Sequence, residues 1–88
     1  MENIAVALQY SVEEHIPKVI AKGKGKLAKS ILDKANEYNI PIYQDKDLVA
    51  VLSSLETGSY IPESLYRAVA VVLAYCYQIN SDFRKKLN

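Results

Sequence analysis

PKVIAKGKGKLAKSILDKANEYNIPIY, residues 17–43, is the stretch whose reading decides the fold. Residues 18–21 form a short β-branched run, Gly23 and Gly25 give the backbone freedom that a tight exit from a strand needs, and residues 27–38 switch to helical spacing. Leu27, Ala28, Ile31, Leu32, Ala35 and Tyr38 make one apolar stripe, with Lys26, Lys29, Ser30, Asp33, Lys34, Asn36 and Glu37 opposite. Asn39 stands where a left-handed cap residue belongs, and Pro41 cannot continue a helix. The pattern predicts strand, helix and strand, the second strand over residues 40–43. A helix of this length joining two strands predicts that they lie parallel, with a right-handed crossover.

Before this unit, Ile4, Val6 and Leu8 alternate with Ala5, Ala7 and Gln9, predicting a first strand with both faces largely covered. Residues 11–16 read as a polar connection with one helical turn. After it, Asp45 is placed to cap a second helix carrying Leu48, Val49, Val51, Leu52 and Leu55, closed by Gly58. Pro62 and Glu63 open a third helix, apolar on nearly every side from Leu65 onward and therefore expected to be buried. The fold class expected is α/β: a small mixed sheet of three strands, containing a parallel βαβ unit, surrounded by helices. Residues 1–78 form the domain, and residues 79–88 a polar, frayed tail.

Composition narrows the function classes. The 88 residues suffice for one small core, 50% are hydrophobic and 24% charged, and the formal net charge is +1. Such a charge creates no whole-molecule field to draw nucleic acid or membrane. A single cysteine and no cationic, apolar leader predict a reducing, cytoplasmic setting, and the apolar run 68–77 is too short to span a bilayer, so no membrane insertion is expected.

Few residue patterns point to chemistry. Lys22, Gly23, Lys24, Gly25 and Lys26 resemble a phosphate cradle at a helix entrance, but they match no P-loop or dinucleotide fingerprint. Lys22, Lys24, Lys26 and Lys29 form a local basic patch, the contact surface of an alternative reading as a small soluble regulatory or nucleic-acid-associated domain. Aromatics interleaved with that charge, which single-strand binding favours, are absent, and no nucleic acid is expected. His15 is the only histidine and has no partner in sequence for a metal site or a catalytic dyad, so an exposed loop position is expected. Cys76 lies among apolar residues, as a small core side chain would. No cofactor, metal or catalytic set is expected, and the chain reads as a non-enzyme.

The series Ala5-Val6-Ala7-Leu8-Gln9-Tyr10, Pro17-Lys18-Val19-Ile20-Ala21-Lys22-Gly23, Ile40-Pro41-Ile42, Ile61-Pro62-Glu63 and Leu65 through Tyr75 resembles the cytoplasmic domain of the flagellar export switch protein FlhB and its virulence-secretion relatives. The blocks keep that family's order and spacing up to about Gln78. The resemblance implies a small α/β domain acting in type III protein export, with rod- and hook-type export substrates and export-gate proteins as partners. Family members cut themselves within an Asn-Pro-Thr-His motif ahead of the strand matching residues 4–8. Here Met1, Glu2 and Asn3 stand where Pro, Thr and His would, so the Asn nucleophile has no counterpart.

The resemblance therefore implies a stand-alone counterpart of the fragment that cleavage leaves, located in the cytoplasm at the export apparatus. It also implies two surfaces. The family's upstream strand is missing, so Ile4, Val6 and Leu8 are expected at an open edge able to dock the N-terminal part of a full-length FlhB. A shallow apolar patch that receives early export substrates maps onto Ile16 and Pro17 from a loop and Ala70 and Leu73 from the last helix. Ile16 replaces the usual Ala, and Val71 replaces a residue that is charged in many relatives, which suggests that Val71 lies on a covered surface.

Overall fold

The computed structural model describes residues 3–10 and 13–87, with side chains to residue 79. Strands β1 (Ile4–Gln9) and β2 (Lys18–Lys24) are followed by α1 (Lys26–Glu37), α2 (Lys46–Leu52), a 3₁₀ turn (Glu63–Leu65) and α3 (Tyr66–Leu87). No helix among the described residues is long and apolar enough to cross a membrane. The architecture is mixed α/β, but the sheet has two strands, and they run antiparallel. Ile4 faces Lys24 and Ala7 faces Ala21, after which the register slips so that Leu8 faces Val19. Ile20 is the extra residue of this bulge.

The expected third strand and its parallel βαβ unit are absent, and the reason lies in the backbone donors. Helix α1 ends in a Schellman motif: Asn39 has φ 58°, its N–H donates to the Asn36 carbonyl at 3.2 Å, and the Ile40 N–H donates to the Ala35 carbonyl at 2.8 Å. The Ile40 donor is thus engaged in the cap, and Pro41 has none, so residues 40–43 open with no hydrogen to give a ladder. The stretch 40–45 runs as irregular chain, tied to α3 by an edge-to-face pair of Tyr43 and Tyr75 with centroids 5.2 Å apart.

The far side of β2 is taken instead by residues 58–61. The Gly58 N–H donates to the Val19 carbonyl, the Val19 N–H to the Ser59 carbonyl and the Ile61 N–H to the Pro17 carbonyl, at 2.6, 2.9 and 2.9 Å. Lys18 and Tyr60 form an isolated antiparallel bridge, with the Lys18 ammonium 5.9 Å from the Tyr60 ring centroid. Gly58 has φ 93°, so its role is this turn and not the end of α2, which stops at Leu52. There the Ser53 and Ser54 hydroxyls donate back to the Ala50 and Val51 carbonyls, a local alternative to further helix.

The core is Val19, Leu52, Ile61 and Val69, surrounded by Val6, Leu8, Leu48, Leu55, Leu65 and Leu73. Ala28 of α1 and Ala5 of β1 are also buried where that helix packs on both strands. Gly23 lets α1 come close: a methyl group there would fall 2.8 Å from Leu27 Cβ. Helix α3 is not buried as its composition suggests. Val69 is its one fully buried side chain among the described residues, and Val71, expected under cover, is 57% exposed. The helix continues to Leu87, through the segment expected to fray, although the side chains from residue 80 onward and Asn88 lie outside the described residues. The 11–16 connection has a turn at residues 13–14, and residues 11 and 12 lie outside the described ones as well.

Helix α2 is only seven residues long and depends on its ends. Asp45 Oδ1 accepts from the Leu48 N–H at 3.0 Å, as the sequence predicts. At the other end the Lys22 ammonium donates to the Ser53 and Leu55 carbonyls at 3.1 and 2.7 Å. Replacing Lys22 by Met keeps the aliphatic stem and leaves both carbonyls without this donor, and should destabilise the fold by about 1–3 kcal/mol. Urea denaturation checks this, and a Lys22→Met midpoint equal to that of the native chain would show that water caps this helix end equally well.

Candidate functional site

Antiparallel pairing of β1 and β2 brings Tyr10 and residues 13–17 to one end of the sheet. The hydrogen bond from Ile61 to the Pro17 carbonyl fixes the end of this segment beside the start of α3. Between them lies a shallow cavity of about 220 Å³, lined by Tyr10, His15, Pro17, Ile61, Tyr66, Val69, Ala70 and Leu73. Its α3 residues fall at 66, 69, 70 and 73, the spacing of a single helix face. Pro17, Ile61 and Val69 are buried and form the floor, while Leu73 is half-buried and Ala70 exposed. Ala70 supplies little more than a methyl, which keeps the hollow open between bulkier neighbours.

The structure thus brings Pro17, Ala70 and Leu73 together around this cavity, whereas Ile16 does not line it. Ile16 stands at a bend just before Pro17 and is half-buried outside the lining. Sequence reasoning missed Tyr10, His15, Ile61, Tyr66 and Val69. Helical spacing from Ala70 and Leu73 could have reached Tyr66 and Val69. No sequence signal leads to Ile61, which arrives through the 58–61 pairing.

The other candidate residues lie elsewhere. Val6 and Leu8 pack against the core, so β1 offers its backbone edge and not those side chains. Ile4 is half-buried, and β1 has no strand neighbour other than β2 among the described residues. Of the basic patch, Lys22 is held in the cap of α2, and Lys29 pairs with Asp33 at 3.3 Å on the exposed face of α1. Lys24 and Lys26 are exposed. The glycine turn offers less than a phosphate cradle would need, because the Gly25 N–H donates to the Asn3 carbonyl at 2.8 Å.

His15 is exposed, as the sequence predicts, and belongs to no cluster of three or more metal-ligating side chains among the described residues. Cys76 is half-buried, and burial raises its thiol pKa, which disfavours the reactive thiolate. The arrangement offers an apolar hollow with a polar rim. Such a hollow can receive a side chain of a partner.

Comparison with known proteins is consistent across sequence and structure. The uncharacterized protein YlqH of Bacillus subtilis is 36% identical over 83 residues, covering 93% of this chain and 89% of YlqH. The flagellar biosynthetic protein FlhB of Yersinia enterocolitica is 44% identical over 77 residues, covering 85% of this chain but 20% of FlhB. The chain therefore spans about a fifth of the FlhB proteins it matches. A crystal structure of a mutated EscU C-terminal domain superposes with a TM-score of 0.83 at 32% identity, covering 86% of this chain and 94% of that domain. A mutated EscU/SpaS C-terminal domain gives 0.82, also at 32% identity, with 85% and 95% covered. Residues 2–76 match the FlhB HrpN YscU SpaS family, and with these likenesses in sequence and fold the chain belongs to that family.

Proposed function

We propose that this chain is a non-enzymatic component or accessory of the flagellar type III protein export apparatus, working at the cytoplasmic face and recognising export substrates through the cavity between Pro17 and α3. The observation that carries the reading is the convergence of Pro17, Ala70 and Leu73 on one apolar hollow in a chain of this family. The ligand class is a short apolar segment of a rod- or hook-type substrate, one side chain of which fills the hollow. A contact of this size leaves little surplus after ordering costs, so affinity is roughly micromolar or weaker. Such weakness suits a cargo that must be released.

A second surface is the outer edge of β1. An extended segment from an export-gate protein, or from the N-terminal part of a full-length FlhB, would add there by main-chain hydrogen bonds. The non-enzymatic reading rests on the chain having no Asn-Pro-Thr-His sequence, whose Asn the resemblance assigns as the nucleophile of self-cleavage.

Three outcomes are expected. Ala70→Asp places a charge in the hollow, and a folded Ala70→Asp chain should bind rod- and hook-type substrate N-termini at least 10-fold more weakly in calorimetry, the scale of a buried unpaired charge. Retention of native affinity by that variant would remove the cavity from the account. Titration with an FlhB segment containing the strand upstream of the cleavage motif should move the amide resonances of residues 4–8, and unmoved amides would mean that this edge takes no strand. Mass spectrometry after long incubation at raised pH should show one intact species, with a specific cut near residues 1–4 as the contrary result.

A further inference from the structure

The cavity floor is apolar, but its rim carries three side chains able to hydrogen-bond, Tyr10, His15 and Tyr66. All three are exposed, and none has a hydrogen-bond or ion-pair partner among the described residues. His15 differs from the two phenols in its backbone. Its φ is 62°, in the left-handed region where any Cβ costs strain and which glycine or asparagine would occupy more easily. The loop around it is anchored: Ile16 is half-buried, Pro17 is buried, and the Pro17 carbonyl accepts from the Ile61 N–H. His15 thus lines the cavity in a strained conformation, just before the anchored Ile16 and Pro17.

We infer that His15 is a specificity-determining residue of this site, its imidazole hydrogen-bonding the main chain of an extended peptide whose apolar side chain fills the cavity. The inference rests on the reading of the cavity as a peptide site. An extended segment seated there carries peptide N–H and C=O groups across the mouth, and each that loses water needs a new partner. Ile61, Val69, Ala70 and Leu73 have no polar side-chain atom to give, and the carbonyls of α3 beneath them are engaged in the helix. A neutral imidazole donates from one ring nitrogen and accepts at the other, so His15 can satisfy either kind of main-chain group. Ile16 occupies the family position implied by the resemblance, but His15 is the residue that reaches the mouth.

The test uses the full chain and a synthetic peptide covering the apolar N-terminal segment of a rod- or hook-type substrate from the same organism. Because His15 is the only histidine, its ring protons give one identifiable set of NMR resonances. The peptide should shift them in the native chain and leave them unmoved in Ala70→Asp. His15→Gly keeps the left-handed backbone, so its thermal midpoint should not fall, while its affinity should drop roughly 3- to 10-fold for one lost hydrogen bond. His15→Asn, which tolerates the same backbone and retains a donor and an acceptor, should recover part of that loss. Native affinity in His15→Gly beside lost binding in Ala70→Asp overturns the role of His15 and leaves the site standing. Native affinity in Ala70→Asp, or no binding by the native chain, overturns both.

Discussion

Val19 is the constraint on which the rest of the structure depends. It is wholly buried, and its N–H and C=O both bond to the 58–61 segment instead of to β1. A buried peptide left without those partners would cost about 1–3 kcal/mol for each group, so the segment cannot peel away without a penalty large for a domain of this size. Holding it there brings Ile61 into the core beside Val19, Leu52 and Val69. A third bond of the same pairing, from the Ile61 N–H to the Pro17 carbonyl, fixes Pro17 and with it the end of the loop that carries His15. The cavity is thus a consequence of how the second edge of β2 is closed.

That origin makes the hollow a rigid one in a chain with so little core. Ile61 and Val69 belong both to the core and to the cavity floor. A partner side chain entering there meets atoms already fixed by packing, so little ordering is required of the protein on binding. Rigidity of the floor and modest affinity are compatible, because the area is small.

Local signals were legible in the sequence and distant ones were not. Asn39 as a left-handed cap and Asp45 as an N-cap act through neighbours a few residues away, and both stand as the pattern predicts. The period-two run of β1 is local in the same sense; of the α1 stripe, Ala28 is buried while Leu27 and Tyr38 at its ends are exposed, because the two-stranded sheet is too narrow to cover them. Residues 40–43 carry a strand-like composition, but Ile40 gives its amide to the α1 cap and Pro41 has none to give, so composition misled where donor accounting would not have. Helix α3 was misjudged because an apolar sequence does not say how much of it the rest of a small domain can cover. Around the cavity, Pro17, Ala70 and Leu73 followed from resemblance, while His15 lines it and Ile16 does not because of a bend in the loop that no local pattern announces.

Lys22 shows most clearly where such reading stops. In sequence it belongs to a run of lysines and glycines that suggests a contact for phosphate or nucleic acid. In the fold its ammonium reaches the carbonyls of Ser53 and Leu55, residues 31 and 33 positions away, at the negative end of α2. Asp45 stands at the positive end of the same helix, which is too short to persist by its own hydrogen bonds. One carboxylate from the preceding residue caps the start of the helix, and one ammonium from the opposite half of the chain ties down the turn just after it, where Leu48 and Leu52 of the helix face the core. A charge in a basic run is a binding signal only if the fold leaves it free. Here the most deeply placed lysine of the run is part of the scaffold, its ammonium bonded to the Ser53 and Leu55 carbonyls.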